Sequence, residues 1–238
     1  MEYIWLNEVD STHEELKRRL ASRFQLEQTP NNLSKANKLN NTESKDSSEL
    51  CIIAKKQSVG IGSRGNSWEN VEDGLMFSFT FVNPPKDLPQ QSVAIYLGFI
   101  FKEMLNSLGS SVWLKYPNDF YLEKNKIGGV LVSIYKNRIL CGIGLNLKSV
   151  NFGSLDIFPD KCEVLEKYFK ILQKPPTWKQ IFRKYRLEFY LNFSFSFHFQ
   201  GEQISLKDAN LREDGSLEVG DKIIYNLERC GVGQCVKS

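Results

Sequence analysis

Two histidines, His13 and His198, occur among the 238 residues. Neither has a motif around it, so neither a hydrolytic triad nor a zinc site is expected. The five cysteines, Cys51, Cys141, Cys162, Cys230 and Cys235, include no CxxC pair. Cys51 and Cys141 lie inside apolar runs, where cysteine behaves as a small hydrophobe. The odd number and the lack of an export pattern imply five reduced thiols in a cytoplasmic protein. No run approaches the roughly 18 apolar residues of a membrane span. The opening Met1-Glu2-Tyr3-Ile4-Trp5-Leu6 has no basic stretch ahead of an apolar core. The Walker pattern is absent, and a net charge of +3 is too mild to call for nucleic acid. Neither DNA nor a membrane is therefore an expected partner.

What the chain has is glycine in a telling place. Gly60-Ile61-Gly62-Ser63-Arg64-Gly65-Asn66-Ser67-Trp68 stands between the apolar runs Leu50 to Ala54, which opens a strand reaching Gln57, and Leu75 to Val82. That is strand, glycine loop, strand. Bare amides in such a loop make a nest for a carboxylate or a phosphate; a β-hairpin with a glycine-rich turn fits the same residues.

Tyr3 to Val9 reads as a short extended segment. Asp10-Ser11-Thr12 then opens a helix with capping-box spacing, Ser11 to Glu14 or Thr12 to Glu15. Leu16, Leu20 and Phe24 supply its apolar stripe. Capping alone would explain Asp10, Ser11 and Thr12. Residues 28–49 are polar and read as a mobile surface loop. A helix follows from Ser92 to Leu108. A meander of antiparallel strands then runs from Val112 to Leu147, with turns at Glu123-Lys124-Asn125 and Lys136-Asn137. Glycines at 128, 129, 142 and 144 are costly inside strands and mark close approach of a chain or ligand. Helices are expected over Asp160 to Leu172 and Thr177 to Phe193. From about residue 198 short alternations punctuated by Asp214-Gly215 and Gly220-Asp221 suggest a small β-barrel. The fold class is α+β, a mixed and largely antiparallel sheet flanked by helices. Residues 1–197 would form the main domain and 198–238 an appendage.

Chemistry-bearing residues collect between Gln57 and Asn146: lysines, Arg64, side-chain amides and bare N–H groups. Such a set suits anion binding and charge stabilisation at a transferring phosphorus. Asp10-Ser11-Thr12, Gly60-x-Gly62-x-Arg64-Gly65-x-x-Trp68, Lys115-Tyr116-Pro117-Asn118-Asp119, Lys126-Ile127-Gly128-Gly129-Val130-Leu131 and Gly142-Ile143-Gly144-Leu145-Asn146 occur in that order. In order and spacing they resemble the biotin protein ligases, the biotin–[acetyl-CoA-carboxylase] ligases. The resemblance spans essentially the whole chain. It implies a class II synthetase-like catalytic fold with an SH3-like C-terminal barrel. It leaves no room before Asp10 for the DNA-binding domain of the repressor members.

The implied activity is ATP-dependent ligation of biotin, through biotinyl-5′-AMP, to a lysine of a biotin carboxyl carrier protein, a subunit of acetyl-CoA carboxylase. ATP and Mg²⁺ are implied, the metal held through the ATP phosphates, and a homodimer is compatible. By the same resemblance, Lys126 and Arg64 are catalytic. Ser11, Thr12, Gln57, Gly62, Lys126, Gly128, Gly129, Gly142 and Gly144 hold biotin. Gly60, Arg64, Trp68, Lys115, Asn118, Asp119 and Asn146 serve the nucleotide, with Trp68 beside the adenine or over the valeryl chain and Lys115 and Asp119 on the phosphate and Mg²⁺ side. The loop departs from the family, since Ile61, Ser63 and Asn66 stand at its usual arginine positions; Arg64 is the candidate substitute. His13 stands where asparagine is common. Two rivals remain: a lipoate or octanoate ligase or transferase of the same fold, and a non-catalytic biotin- or nucleic-acid-binding protein.

Overall fold

The computed structural model describes residues 1–27, 49–63, 66–199 and 202–225. Of the expected polar loop, 28–48 lie outside these residues. So do Arg64, Gly65 and 226–238, with Cys230 and Cys235.

The elements in chain order are β1 (Glu2–Val9), α1 (Thr12–Glu27), β2 (Leu50–Gln57), β3 (Gly60–Ile61), β4 (Ser67–Trp68), β5 (Asp73–Phe81), α2 (Val93–Ser107), β6 (Trp113–Lys115), β7 (Asp119–Leu122), β8 (Asn125–Tyr135), β9 (Arg138–Lys148), α3 (Lys161–Gln173) and α4 (Trp178–Glu188). Seven strands form one sheet in the order β1-β2-β5-β9-β8-β7-β6. β1 runs parallel to β2; the other pairings are antiparallel. The segment from Tyr3 to Val9 is thus a full edge strand, with α1 as its crossover to β2. The β8–β9 turn places Lys136 and Asn137 at φ 46° and 61°, the mirror-image geometry that matches strand twist in tight hairpins.

Strand alternation sorts the sheet into two faces. Ile53, Phe77, Phe79, Val130, Cys141 and Ile143 point to the main core, beneath α2, α3 and α4. Phe79 and Phe169 meet edge-on there at 5.0 Å, an arrangement that adds to simple area burial. The opposite face carries α1 at one end, where Leu16, Leu20, Leu50, Ile52 and Leu140 form a second apolar cluster. Each such side chain contributes about 1.5–3 kcal/mol on burial, so α1 is anchored and its first turn is fixed in space. Beyond that cluster the same face turns small and polar: Ser78 stands opposite Ile52 and Gly142, and Gly142 opposite Leu131. This change of texture makes room for a site.

The C-terminal segment corrects one expectation. It forms a two-stranded sheet, β10 (Ser196–Phe199) with β11 (Glu202–Ser205), and a three-stranded one, β12 (Asn210–Leu211), β13 (Leu217–Val219) and β14 (Lys222–Ile224). Among the described residues these do not close into a barrel. Ile204, Leu206, Leu217 and Ile224 join the main core. Ser92 Oγ donates to Asp214 O at 2.6 Å, and Trp178 Nε1 donates to Glu213 O at 2.8 Å. The segment is fastened to α2 and α4 rather than tethered beside them.

Candidate active site

The first turn of α1 supplies one wall. Ser11 Oγ accepts the N–H groups of His13 at 3.3 Å and Glu14 at 3.5 Å, as a capping hydroxyl does. Thr12 faces away from that role. Its N–H and its hydroxyl both donate to Gln57 Oε1, at 2.7 and 3.0 Å. Its Oγ1 also lies 2.9 Å from Ser78 Oγ. Gln57 is held by a reciprocal pair of hydrogen bonds with the Asn70 amide, at 3.0 and 2.7 Å. Ser11, Thr12, Gln57 and Ser78 are all buried. Buried polar groups need partners, and these largely satisfy one another, so the wall is preformed.

His13 completes it. Nε2 lies 2.6 Å from Ser133 Oγ on β8. Nδ1, buried, has no hydrogen-bond partner among the described residues. Burial lowers the pKa of the imidazole to about 4; Lys17 adds to the shift and Glu14 opposes it.

The floor is glycine. A β-carbon at Gly144 would lie 2.7–2.9 Å from three atoms of the Trp68 indole, and one at Gly142 would lie 3.0 Å from Ser78 Oγ and 3.4 Å from His13 Nδ1. Trp68 comes from β4, which pairs with β3 in a two-residue hairpin. This hairpin lays the indole on Gly144.

At the far end Lys126 Nζ sits 2.7 Å from Asp119 Oδ1. A bulge puts it there. Tyr121 pairs with Lys126 and Phe120 with Gly128, leaving Ile127 unopposed. Without it, alternation would put Lys126 on the face opposite Gly129. With it, Lys126 and Gly129 share the slot.

One cavity of about 50 Å³ is lined by Ser11, Thr12, His13, Gln57, Ser78, Trp68, the glycines 62, 129, 142 and 144, Asn118, Asp119 and Lys126. A neighbouring cavity of about 230 Å³ is lined by Gly62, Ser63, Asn66, Trp68, Val71, Lys126, Gly128, Asn146 and Phe152. Trp68 and Lys126 stand on the boundary between them.

Two residues fall elsewhere than expected. Gly128 does not floor the slot: a β-carbon there would meet the Gly144 carbonyl oxygen at 2.5 Å and the Phe120 ring at 3.0 Å. Of the glycine pair, only Gly129 faces the slot. Lys115 lines neither cavity; its ammonium lies 4.0 Å from Asp119 Oδ2 and over the Tyr121 and Phe195 rings. Gly60 serves the hairpin, packed against Trp68. Asn118 donates to Val130 O at 2.8 Å, which fixes the turn before Asp119. Asn146 donates to Gly153 O at 3.0 Å, and its buried Oδ1 has no partner among the described residues. Arg64 lies outside the described residues. Ser78 and Phe152 escaped the sequence reading. For Ser78 the signal was a lone hydroxyl in Phe77-Ser78-Phe79.

A family model described as the biotin/lipoate A/B protein ligase family matches residues 23–148, more than half of the chain. The chain belongs to the biotin/lipoate A/B protein ligase family. The match runs through Gln57, the glycine loop, Lys126 and Asn146. Among curated members, biotin–protein ligase 2 of Arabidopsis thaliana is 36% identical over 101 residues, 38% of this chain and 31% of that protein. The bifunctional ligase/repressor of Escherichia coli is 30% identical over 109 residues, 42% of this chain and 33% of that protein. The chain thus spans about a third of the length of the curated relatives it matches. Solved structures are matched along nearly their whole length. The biotin acetyl coenzyme A carboxylase synthetase of Helicobacter pylori, with bound biotinylated ATP, is 42% identical, with 94% of this chain and 98% of that one covered and a TM-score of 0.79. The biotin protein ligase of Aquifex aeolicus in complex with biotin and ATP is 26% identical, with 95% and 97% covered and a TM-score of 0.67. In this chain the sheet, the glycine hairpin and the Lys126 bulge are the parts that shape the two cavities.

Proposed function

We propose that this chain is an ATP-dependent biotin protein ligase acting on a biotin carboxyl carrier domain. One observation carries the reading: a buried hydroxyl-and-amide wall and a lysine–aspartate pair face each other across a glycine floor. Such a slot suits a small ligand with a polar ring at one end and a carboxylate at the other. The cyclic urea of biotin meets the wall of Ser11, Thr12, Gln57 and Ser78, whose groups match its N–H and C=O. Its carboxylate reaches Lys126, and the adjoining cavity takes the nucleotide between Trp68, Asn146 and Phe152. The solved relatives that hold biotin and ATP, or biotinylated ATP, support this choice of ligands.

The reaction balances as two displacements. A carboxylate oxygen attacks the α-phosphorus of ATP, the bond to the β-phosphate breaks, and pyrophosphate leaves. The lysine amine of the carrier then attacks the acyl carbon; the anhydride C–O bond breaks, AMP leaves, and an amide forms with loss of a proton. No covalent nucleophile of the enzyme is needed, only positioning and charge stabilisation. Lys126 stabilises the charge that gathers between carboxylate and phosphate, and Asp119 fixes the ammonium. The glycine hairpin with Trp68 shields the adenylate from water. Arg64 stands as the arginine of that loop. Among the described residues no three His, Cys, Asp or Glu side chains form a metal cage. In this reading Mg²⁺ is an ion carried by the ATP phosphates, with Asp119 the nearby carboxylate.

Among the described residues no helix is long and apolar enough to cross a membrane, and a cytoplasmic site of action belongs to the same reading. So does a homodimer; the open edge of β1, with Tyr3 and Trp5 exposed, offers a sheet edge for it. The test is ATP–pyrophosphate exchange, with biotin and with lipoate. Exchange stimulated by biotin alone is expected. Exchange driven only by lipoate or octanoate would transfer the site to the other branch of the family, and no exchange with any of these acids would sink the enzyme reading.

A further inference from the structure

The polar wall is rich in donors and poor in acceptors. Gln57 Oε1 already takes two hydrogen bonds from Thr12. Ser11 Oγ already takes two from backbone N–H groups. Thr12 Oγ1 and Ser78 Oγ are bonded to each other. A cyclic urea brings two N–H donors and one carbonyl, so it asks for acceptors as well as donors. His13 lines the same cavity and is 4% exposed, and its buried Nδ1 has no partner among the described residues. It lies 3.4 Å from where a β-carbon on Gly142 would stand, so the missing methyl opens the space before it. The opposite ring nitrogen is tied to Ser133 Oγ at 2.6 Å. If Nε2–H donates to Ser133, Nδ1 carries a free lone pair beside the Gly142 floor.

We propose that His13 is a substrate-contacting specificity residue whose Nδ1 accepts a ring N–H of the bound cyclic urea, with Ser133 holding the required tautomer. This rests on the biotin reading of the slot. A buried acceptor left unpaired is costly, and a ligand that pairs it is selected over one that cannot. Lipoate and octanoate have no ring N–H, so His13 gives the site a reason to reject them. Burial keeps the imidazole neutral at physiological pH, as an acceptor must be.

The test compares the full-length wild-type protein with H13F and S133A. The readouts are KM in exchange and calorimetric binding, for biotin and for an analogue with CH₂ in place of the ureido N–H groups. In H13F the ring shape is kept and the acceptor lost, so KM for biotin rises about ten-fold while KM for ATP is unchanged. S133A shows a smaller rise in the same direction. On the analogue, H13F and wild type bind equally. If H13F binds biotin as tightly as wild type, or loses the same factor on the analogue, the proposal is overturned while the biotin reading stands. A wild-type protein without biotin-dependent exchange overturns both. If H13F does not fold, S133A carries the comparison: an unchanged KM for biotin in a folded S133A overturns the proposal.

Discussion

Two glycines on adjacent strands should fail in opposite ways when given a methyl group. In G144A the added carbon would stand 2.7–2.9 Å from three indole atoms of Trp68. Apolar carbons rest at about 3.5–4.0 Å, so the ring must withdraw by roughly 1 Å. It can, because β3 and β4 are two residues each and Trp68 is partly exposed. The strain leaves through the lid, and the loss of global stability stays below about 1 kcal/mol, a Tm change of about 2–4 °C at this chain length. The floor of the slot is nevertheless raised, and biotin affinity falls about ten-fold or more, the range of 1–3 kcal/mol typical of overpacking. In G128A the added carbon meets the Gly144 carbonyl oxygen at 2.5 Å, the Phe120 ring at 3.0 Å and Leu145 at 3.2 Å. Ladder backbone and a fully buried ring cannot step aside. Stability falls by about 2–3 kcal/mol, a Tm loss of about 4–12 °C, while whatever protein remains folded binds biotin nearly normally. Thermal unfolding with biotin titration by calorimetry reads both quantities. The reasoning is refuted if G144A unfolds as early as G128A, since Trp68 would then be core, or if G144A binds biotin with wild-type affinity.

K126M should separate chemistry from folding. Lys126 is 47% exposed on its side chain, and exposed ion pairs contribute about 0–1 kcal/mol, so Tm hardly moves. Biotin-dependent exchange should fall by about 10²–10³, as when a preorganised charge-stabilising donor is removed. His13 makes a pH prediction. Its folded pKa, about 4, lies below the ordinary value of 6.5, so between these values the unfolded chain takes up the proton and the folded one does not. Stability is full above pH 6.5 and declines towards pH 4, by up to about 3 kcal/mol. Urea midpoints measured across that window should fall less steeply in H13F.

The legible parts of this protein were those where local chemistry and tertiary structure agree. Leu50 to Gln57, the turn at Lys136-Asn137 and the helix before Gly109 each carry their own signal in composition or backbone demand. The parallel partner of β1 was not legible, because pairing across the segment from α1 to β2 leaves no local trace. Glycines 128 and 129 look alike in sequence, yet alternation sends one to the core and one to the slot, and only the register with β9 decides which. Lys115 was placed by its motif on the phosphate side; the aromatic rings of Tyr121 and Phe195, one of them eighty residues away, hold it elsewhere. Capping and ligand contact were competing readings of Ser11 and Thr12. Ser11 caps the helix and Thr12 is turned to Gln57, and both line the slot. His13 carries no local sign of a role in the site, because nothing in the sequence shows that its partner, Ser133, comes from β8.

The bulge at Ile127 makes the aim of Lys126 a matter of counting. Which face a strand residue occupies depends on parity, and here one unopposed residue sets that parity for the lysine alone. A deletion between Asp119 and Lys126 could preserve every functional side chain by name and still swing the ammonium out of register with Asp119. The length of this short hairpin is therefore inherited information in its own right. A scan that replaces residues one at a time would pass over it, and variation in length among related chains would reveal it.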